Sequence, residues 1–435
     1  MLSKFKNRIR KAYQIHYDFI LGVLASSLVF IKPATALIFL FVLINLIFLK
    51  KIHFDKQIKI CSIIIATPLI FHLFFLWNNE SIFEGIKHLE KYLVMFFFPL
   101  LIVGQNIKIS INKIFKVYSI SFTLLLIIGL TFHVIINHDL FSDYLQGVLV
   151  WQMGYKFANS LNTHAPALNM HVAFLVVVNF YLLLKDTTQN RNYSVLIYRF
   201  ILFFSSILTL FILNTRVAML NAFLGLLLVT YLELKNKFRK LILFLSGTII
   251  IVGFSFAIFL VKFPYIINKY SLVTFKHMDK IGNLDDIENP EKEVYSALVT
   301  RLSIWKTTID LSKRNLLIGV GAADGKKRLF KAYKDTNQIF LEKHSFPVHN
   351  QYLDFLLKFG ILGYVFTLAY MINIYFIANQ TKVTLAYFFF ILFSTSNLTD
   401  DFLIRFDGII FSAFWVSVFL SQKSFTHLNK PFLNY

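Results

Sequence analysis

His349-Asn350-Gln351-Tyr352-Leu353-Asp354-Phe355-Leu356-Leu357-Lys358-Phe359-Gly360-Ile361-Leu362-Gly363 stands where a long polar segment, 263–348, gives way to an apolar run. Wound as a helix at about 100° per residue, it places His349, Tyr352, Leu353, Leu356, Gly360 and Gly363 on one stripe. Two readings fit that stripe. In one, a membrane helix starts with an interfacial or capping histidine and packs through its small residues. In the other, the helix carries a base at its mouth. The choice turns on which side of a membrane His349 faces and what else lies there.

The composition makes the membrane unavoidable. Of 435 residues, 57% are hydrophobic, 15% are charged and 51 are Phe. A soluble fold of this length has too little interior for that much apolar surface, and the apolar residues come in runs of membrane-spanning length. The formal net charge of +21 would point to nucleic acid in a soluble protein. Here most of it sits in short loops, where it reports topology. The single cysteine, Cys61, lies inside an apolar run and allows no internal disulfide.

Apolar runs fall at 19–31, 37–49, 58–77, 92–104, 114–136, 165–184, 197–213, 217–232, 241–261, 360–378, 384–396 and 409–420. They predict an all-α polytopic protein of about twelve transmembrane helices. The start, with Lys4, Lys6, Arg8, Arg10 and Lys11 before an apolar stretch and Ala34-Thr35-Ala36, has the pattern of a signal peptide. A hairpin of two short membrane helices accounts for the same residues and matches the spans that follow. Lys and Arg recur at the N-terminus, at 50–59, 105–116, 185–199 and 235–240, at Lys382, and at Lys423 and Lys430. The alternate connections hold Glu80, Glu84, Asp139, Asp143, Asp400, Asp401 and Asp407. The positive-inside rule then places both termini in the cytoplasm and segment 263–348 outside. Three regions follow: a bundle over 1–262, a helical cap over 263–348, and a final membrane segment over 349–435. In the cap, Leu298, Leu302, Trp305 and Ile309 repeat with helical period and predict one apolar face.

Four basic residues on the outer side are candidates for chemistry. Arg216 stands at the junction of two spans with almost no loop around it, against the positive-inside trend. The plain alternative is an ion pair with an outer carboxylate such as Asp400. Arg301 borders the cap helix one turn before Trp305, a position that usually faces solvent. Two arginines on one face can, however, grip a diphosphate through paired planar hydrogen bonds. Lys91 follows Lys87 with Glu84 and Glu90 nearby, so interfacial ion pairing competes with a phosphate contact. An imidazole, with an ordinary pKa of about 6.5, can accept a proton at working pH, which fits His349. His164, at the start of the sixth span, reads as structural. Asp354 lies about 140° around the helix from His349 and is not its partner. No spacing of His, Cys, Asp and Glu suggests a metal site, and there is no Walker A motif, dinucleotide fingerprint or Gly-x-Ser-x-Gly.

His349-Asn350, nine residues and then Gly360-x-x-Gly363 resembles the signature of the bacterial O-antigen ligase family, within the O-antigen ligase and polymerase superfamily. Tyr364-Val365 stand where that pattern often continues with two threonines. Arg216-x3-Leu220 is similar to the family's first arginine motif. Arg301 in Thr300-Arg301-Leu302-Ser303-Ile304-Trp305, followed by Gly319-Val320-Gly321, is similar to its second. The resemblance implies a membrane glycosyltransferase of the C type, multi-pass in the bacterial inner membrane, with its active site facing the periplasm. It implies transfer of an undecaprenyl-diphosphate-linked glycan to lipid A–core, inverting, with no metal and no cofactor. Arg216 and Arg301, with Lys91, would hold the diphosphate, and His349 would be the base. A polymerase of the same superfamily, or a polytopic glycan transporter, would share much of this layout. A transporter would be expected to show paired repeats or broken midplane helices, and none is visible in the sequence.

Overall fold

The computed structural model describes residues 13–423 apart from 49–51, 53, 106, 108, 147–149, 190, 263–274 and 296. The N-terminal basic cluster, Lys50, Lys51, Lys108, Lys430 and the start of the cap lie outside the described residues. The described residues are helices joined by turns, with no strand among them. Each of the apolar runs overlaps one helix or several consecutive ones. Six helices are long and apolar enough to cross a membrane, or seven if the pair Lys56–Ile65 and Thr67–Phe74, bent by 60°, is one span. The bend falls just before Pro68, which enters the second helix in its first turn, where its missing N–H costs nothing. Tyr17–Ser27, Thr384–Thr399 and Phe406–Ser421 are shorter apolar helices. Together these features make the chain a multi-pass helical membrane protein.

The bundle is built around Ala165–Thr188, whose apolar window is 89% buried within the protein. It packs on Ile111–Ile136, Tyr193–Leu213, Arg216–Leu234 and Thr384–Thr399. Lipid tails are as apolar as Leu, so association inside a bilayer leans on close packing and interhelical hydrogen bonds. Both are present. Trp415, fully buried, lies 4.9 Å from the Phe174 ring and 5.6 Å from that of Phe115. Asn179 accepts from Ser119 at 2.5 Å and donates to Ser206 at 3.1 Å and the Leu202 carbonyl at 3.0 Å, tying three helices together.

A second apolar cluster holds the cap. It gathers Leu284, Ile304, Leu329, Tyr333 and Phe340, and takes in Leu357 from the helix beyond. The face of Leu298–Lys313 that is buried differs from the expected one. Val299, Thr300, Ser303, Ile304, Thr307, Thr308 and Ser312 are buried, whereas Leu298, Leu302 and Trp305 are half-buried and Ile309 is exposed. The hydroxyls explain it. Ser303, Thr308 and Ser312 each bond the carbonyl four residues back, so small polar side chains enter the interface already satisfied.

The helix that follows His349 is not one straight stripe. Gln351–Thr381 breaks at Gly360, which has φ +68° and ψ −157°. Segment 316–321 docks its backbone at that break. Val320 N donates to Leu357 O at 2.9 Å, Gly321 N to Lys358 O at 3.1 Å, and Ile361 N to Leu316 O at 2.7 Å. A Cβ on Gly360 would stand 2.5 Å from the Leu317 carbonyl, and one on Gly319 would stand 2.3 Å from the Lys358 carbonyl carbon. The glycines therefore admit this turn and not a neighbouring helix. Gly363 lies under the kink, with a Cβ there 2.3 Å from the Phe355 oxygen.

Candidate active site

His349 sits just outside its helix, at φ +51°. Both of its neighbours are pinned. The Asn350 side chain caps the helix, accepting from Tyr352 N at 3.0 Å and Leu353 N at 3.2 Å. Trp305 Nε1 donates to the Val348 carbonyl at 3.1 Å. Asn350 and Trp305 thus act on the same imidazole through the backbone on either side of it.

The imidazole meets a carboxylate. His349 Nδ1 lies 3.4 Å from Asp400 Oδ1, with the Asp400 side chain almost wholly buried. Asp400 and Asp401 follow the end of Thr384–Thr399, and the Asp401 N–H donates to Asp400 Oδ1 at 2.9 Å. The turn is fixed from below. Gln351 Oε1 accepts from Leu403 N at 2.7 Å, and Lys91 Nζ donates to Ile404 O at 2.6 Å. Lys91 therefore braces the carboxylate turn, where a phosphate contact was expected. Burial, reinforced by Lys358, pulls its pKa down to about 8.

Burial alone would raise the Asp400 carboxyl, but its hydrogen bonds with His349 and Asp401 and the histidine charge outweigh that and hold it below the usual range. Burial and the Asp400 charge push Asp401 well above it. Neither Asp401 oxygen has another hydrogen-bond partner, and Arg405 Nε is 3.6 Å away. Two adjacent carboxyls at one site cannot both ionise cheaply, so Asp401 keeps the proton. Arg301 is half-buried near Asp400, whose charge supports its own against the cost of burial, and near Tyr155. Tyr155 arrives on Val150–Ser160, a helix in a region the sequence reading left as a connection.

Arg216 opens the Arg216–Leu234 helix and lines an apolar cavity of about 340 Å³ with Val176, Leu210 and Met219. It is tied to the His349 end of the bundle through Ala165–Thr188. Asn169 of that helix donates to the Thr215 hydroxyl, and His164, its N-cap, lies close enough to Arg405, Asp400 and His349 to feel their charges. Gly360 and Gly363 are off the site.

His349, Asp400 and Asp401 each offer a ligand atom within 4.8 Å of the others, a grouping that could hold a cation. The sequence reading expected no metal. The surroundings are already cationic, with Arg405, Arg301 and Lys91 acting on the same two carboxylates. Nothing in the spacing of Asp400 and His349 announced the pairing. The available signal was two adjacent aspartates in a short polar turn on the expected outer side.

The arrangement defines a class: a multi-pass helical membrane protein that gathers a histidine–carboxylate pair and arginines at one end of its bundle. Residues 201–368 match the family model described as O-antigen ligase. The match covers less than half of the chain, and the matched segment, which is similar to that family, contains Arg216, Arg301, Trp305, His349, Asn350, Gly360 and Gly363. Lys91, Asp400 and Asp401 lie outside the matched segment. No curated protein matches the chain.

Proposed function

We propose that this protein transfers a glycan from undecaprenyl diphosphate to lipid A–core on the periplasmic face of the inner membrane. The observation that carries the reading is the His349–Asp400 pair set beside Arg301. Asp400 faces Nδ1, so Nε2 is the nitrogen turned to substrate. An acceptor hydroxyl loses its proton to Nε2 as its oxygen bonds to the anomeric carbon. The bond from that carbon to the diphosphate oxygen breaks on the opposite side, which inverts the configuration. Arg301 and Arg216 stabilise the charge that grows on the departing diphosphate. A diphosphate leaves without a strong general acid, so the mechanism calls for no metal.

The reading includes about twelve spans with both termini in the cytoplasm. Residues 263–348 form a periplasmic cap between the bundle of 1–262 and the C-terminal segment of 349–435. The test is transfer by the purified protein from a defined polyprenyl-diphosphate glycan to lipid A–core, with and without chelator. No transfer to lipid A–core, with growth of the polyprenyl-linked glycan in its place, would make the protein a polymerase.

A further inference from the structure

A polar cavity of about 880 Å³ opens in the cap between Leu298–Lys313 and Gly325–Asp335, lined by none of the residues the mechanism uses. Lys306, Asp310 and Arg314 reach it from the first helix and its end, and Arg328, Lys331 and Asp335 from the second. Ile318, Gly319 and Val320 close one wall, in the turn that docks on the kink at Gly360. Thr307, which is buried, and Gln338 line it too, with Gln338 Nε2 donating to Thr307 Oγ1 at 3.0 Å. The volume lies in the upper part of the range for small-ligand sites.

The charges around this cavity do not cancel. Arg328 pairs with Glu80 at 2.8 Å, and Asp310 with Lys313 at 2.9 Å. Among the described residues, no ion pair holds Lys306, Arg314 or Lys331, and Asp335 is the one lining acid left to oppose them. A cavity walled by one sign of charge concentrates the opposite sign. Cations spread around so wide a space suit a ligand with more than one anionic group. Arg314 offers a planar fork to a phosphate, and Lys306 and Lys331 offer point charges. Thr307, Asn315 and Gln338 supply hydroxyl and carboxamide partners for the hydroxyls of a sugar.

One edge of the cavity is apolar. Leu316, Leu317 and Ile318 are exposed, Leu317 by 73%, and Ile318 also lines the cavity. Asn78 Nδ2 donates to the Ile318 carbonyl at 2.9 Å. That bond sets the lip beside Trp77, 62% exposed, just past Thr67–Phe74, the second half of the bent apolar pair. An exposed Trp and three exposed aliphatics at the end of a membrane helix belong at the boundary between lipid and water. We infer that the cavity binds the phosphorylated sugars of a glycolipid whose acyl chains stay in the bilayer beside Leu317. The inference rests on the transferase reading and gives the acceptor its place: lipid A–core is held here by its phosphates, and the far end of its glycan is left free for His349.

The test measures binding to the full-length protein in detergent of three probes: lipid A–core, the same glycolipid stripped of its phosphates, and undecaprenyl diphosphate. Wild type should bind lipid A–core more tightly than the stripped form. Arg314→Gln combined with Lys331→Gln should weaken lipid A–core about tenfold or more, raise its KM without lowering kcat, and leave undecaprenyl diphosphate unchanged. Asp335→Asn removes the opposing charge and should tighten lipid A–core, which a folding defect would not do. All three positions are exposed, so the fold tolerates the changes. Equal binding of the two glycolipids, or unchanged binding in the double variant, overturns the site and leaves the transferase reading standing. Loss of undecaprenyl diphosphate in the double variant makes the cavity a donor site and overturns the acceptor assignment. Binding as expected with no transfer onto lipid A–core keeps the cavity and overturns the transferase reading.

Discussion

His349 Nδ1 and Asp400 Oδ1 lie 3.4 Å apart across 51 residues of chain. The pair joins the start of one helix to the end of the next, and it fixes which imidazole nitrogen is turned outward. His349→Ala should lower the rate of transfer by about 10²–10⁴-fold, the range of a lost general base. Asp400→Asn keeps the shape but no longer supports the imidazolium, so kcat should fall about 10-fold or more with little change in KM. Steady-state transfer kinetics measure both. Full activity in His349→Ala would remove the base from the mechanism.

Arg301 is half-buried beside Asp400, and a planar guanidinium in general can reach two phosphate oxygens at once. Lysine offers a point charge on a flexible stem. Arg301→Lys should therefore keep the fold and lose about 10-fold or more of kcat/KM, and Arg216→Ala should do likewise. Activity equal to wild type in Arg301→Lys would reduce that arginine's role to its charge.

The Asp400–Asp401 pair carries opposite pH signatures. Asp401 is raised by burial and by Asp400, so the stability tied to its proton is present in acid and lost as pH climbs through the raised value. Asp400 is held low, so its contribution is present above the ordinary carboxylate range and lost only as pH falls through its depressed value. Asp401→Asn removes the first effect and keeps the second. Its Tm should gain on wild type between pH 5 and pH 9. A constant difference over that interval would mean that Asp401 holds no proton.

Gly360 at φ +68° has the Leu317 carbonyl where a Cβ would go. Gly360→Ala adds both backbone strain and that clash, and should destabilise the protein by about 1–3 kcal/mol. Thermal unfolding reads it out, and a Tm within a degree of wild type would contradict the tight dock. Gly363→Ala meets its own kinked helix and should be costly for a separate reason.

A chelator distinguishes a proton from a cation among His349, Asp400 and Asp401. Transfer should proceed at the same rate in excess EDTA. A loss restored by a divalent ion would assign these three residues to a metal.

Apolar run length was enough to locate the long apolar helices, because a lipid-facing segment has no other way to satisfy its backbone. It did not reveal which faces are buried. The Leu298, Leu302, Trp305 and Ile309 period pointed to one side of the cap helix, while self-bonded Ser and Thr residues took the interior. His349, Asn350, Arg301 and Trp305 were legible as a group, since motif spacing singled out each and loop charge put them on one side. Asp400, Arg405 and Tyr155 were not. Their meeting depends on how Thr384–Thr399 and Val150–Ser160 pack, and helix packing leaves no period in the sequence. Gly360 was visible as a glycine, with helix packing through small residues as one reading, but its positive φ and the Ile361 N–H bond to Leu316 O beside it leave no pattern in the sequence.

The backbone bonds from Leu316, Val320 and Gly321 to Ile361, Leu357 and Lys358 bear on how such proteins can be recombined. A chimera cut just ahead of His349 would sever the turn from the helix that receives it and mismatch three hydrogen bonds at once. A cut after Ile361 would carry turn, histidine and receiving helix across together. Residues 316–361 are thus the smallest piece that keeps turn, histidine and receiving helix together.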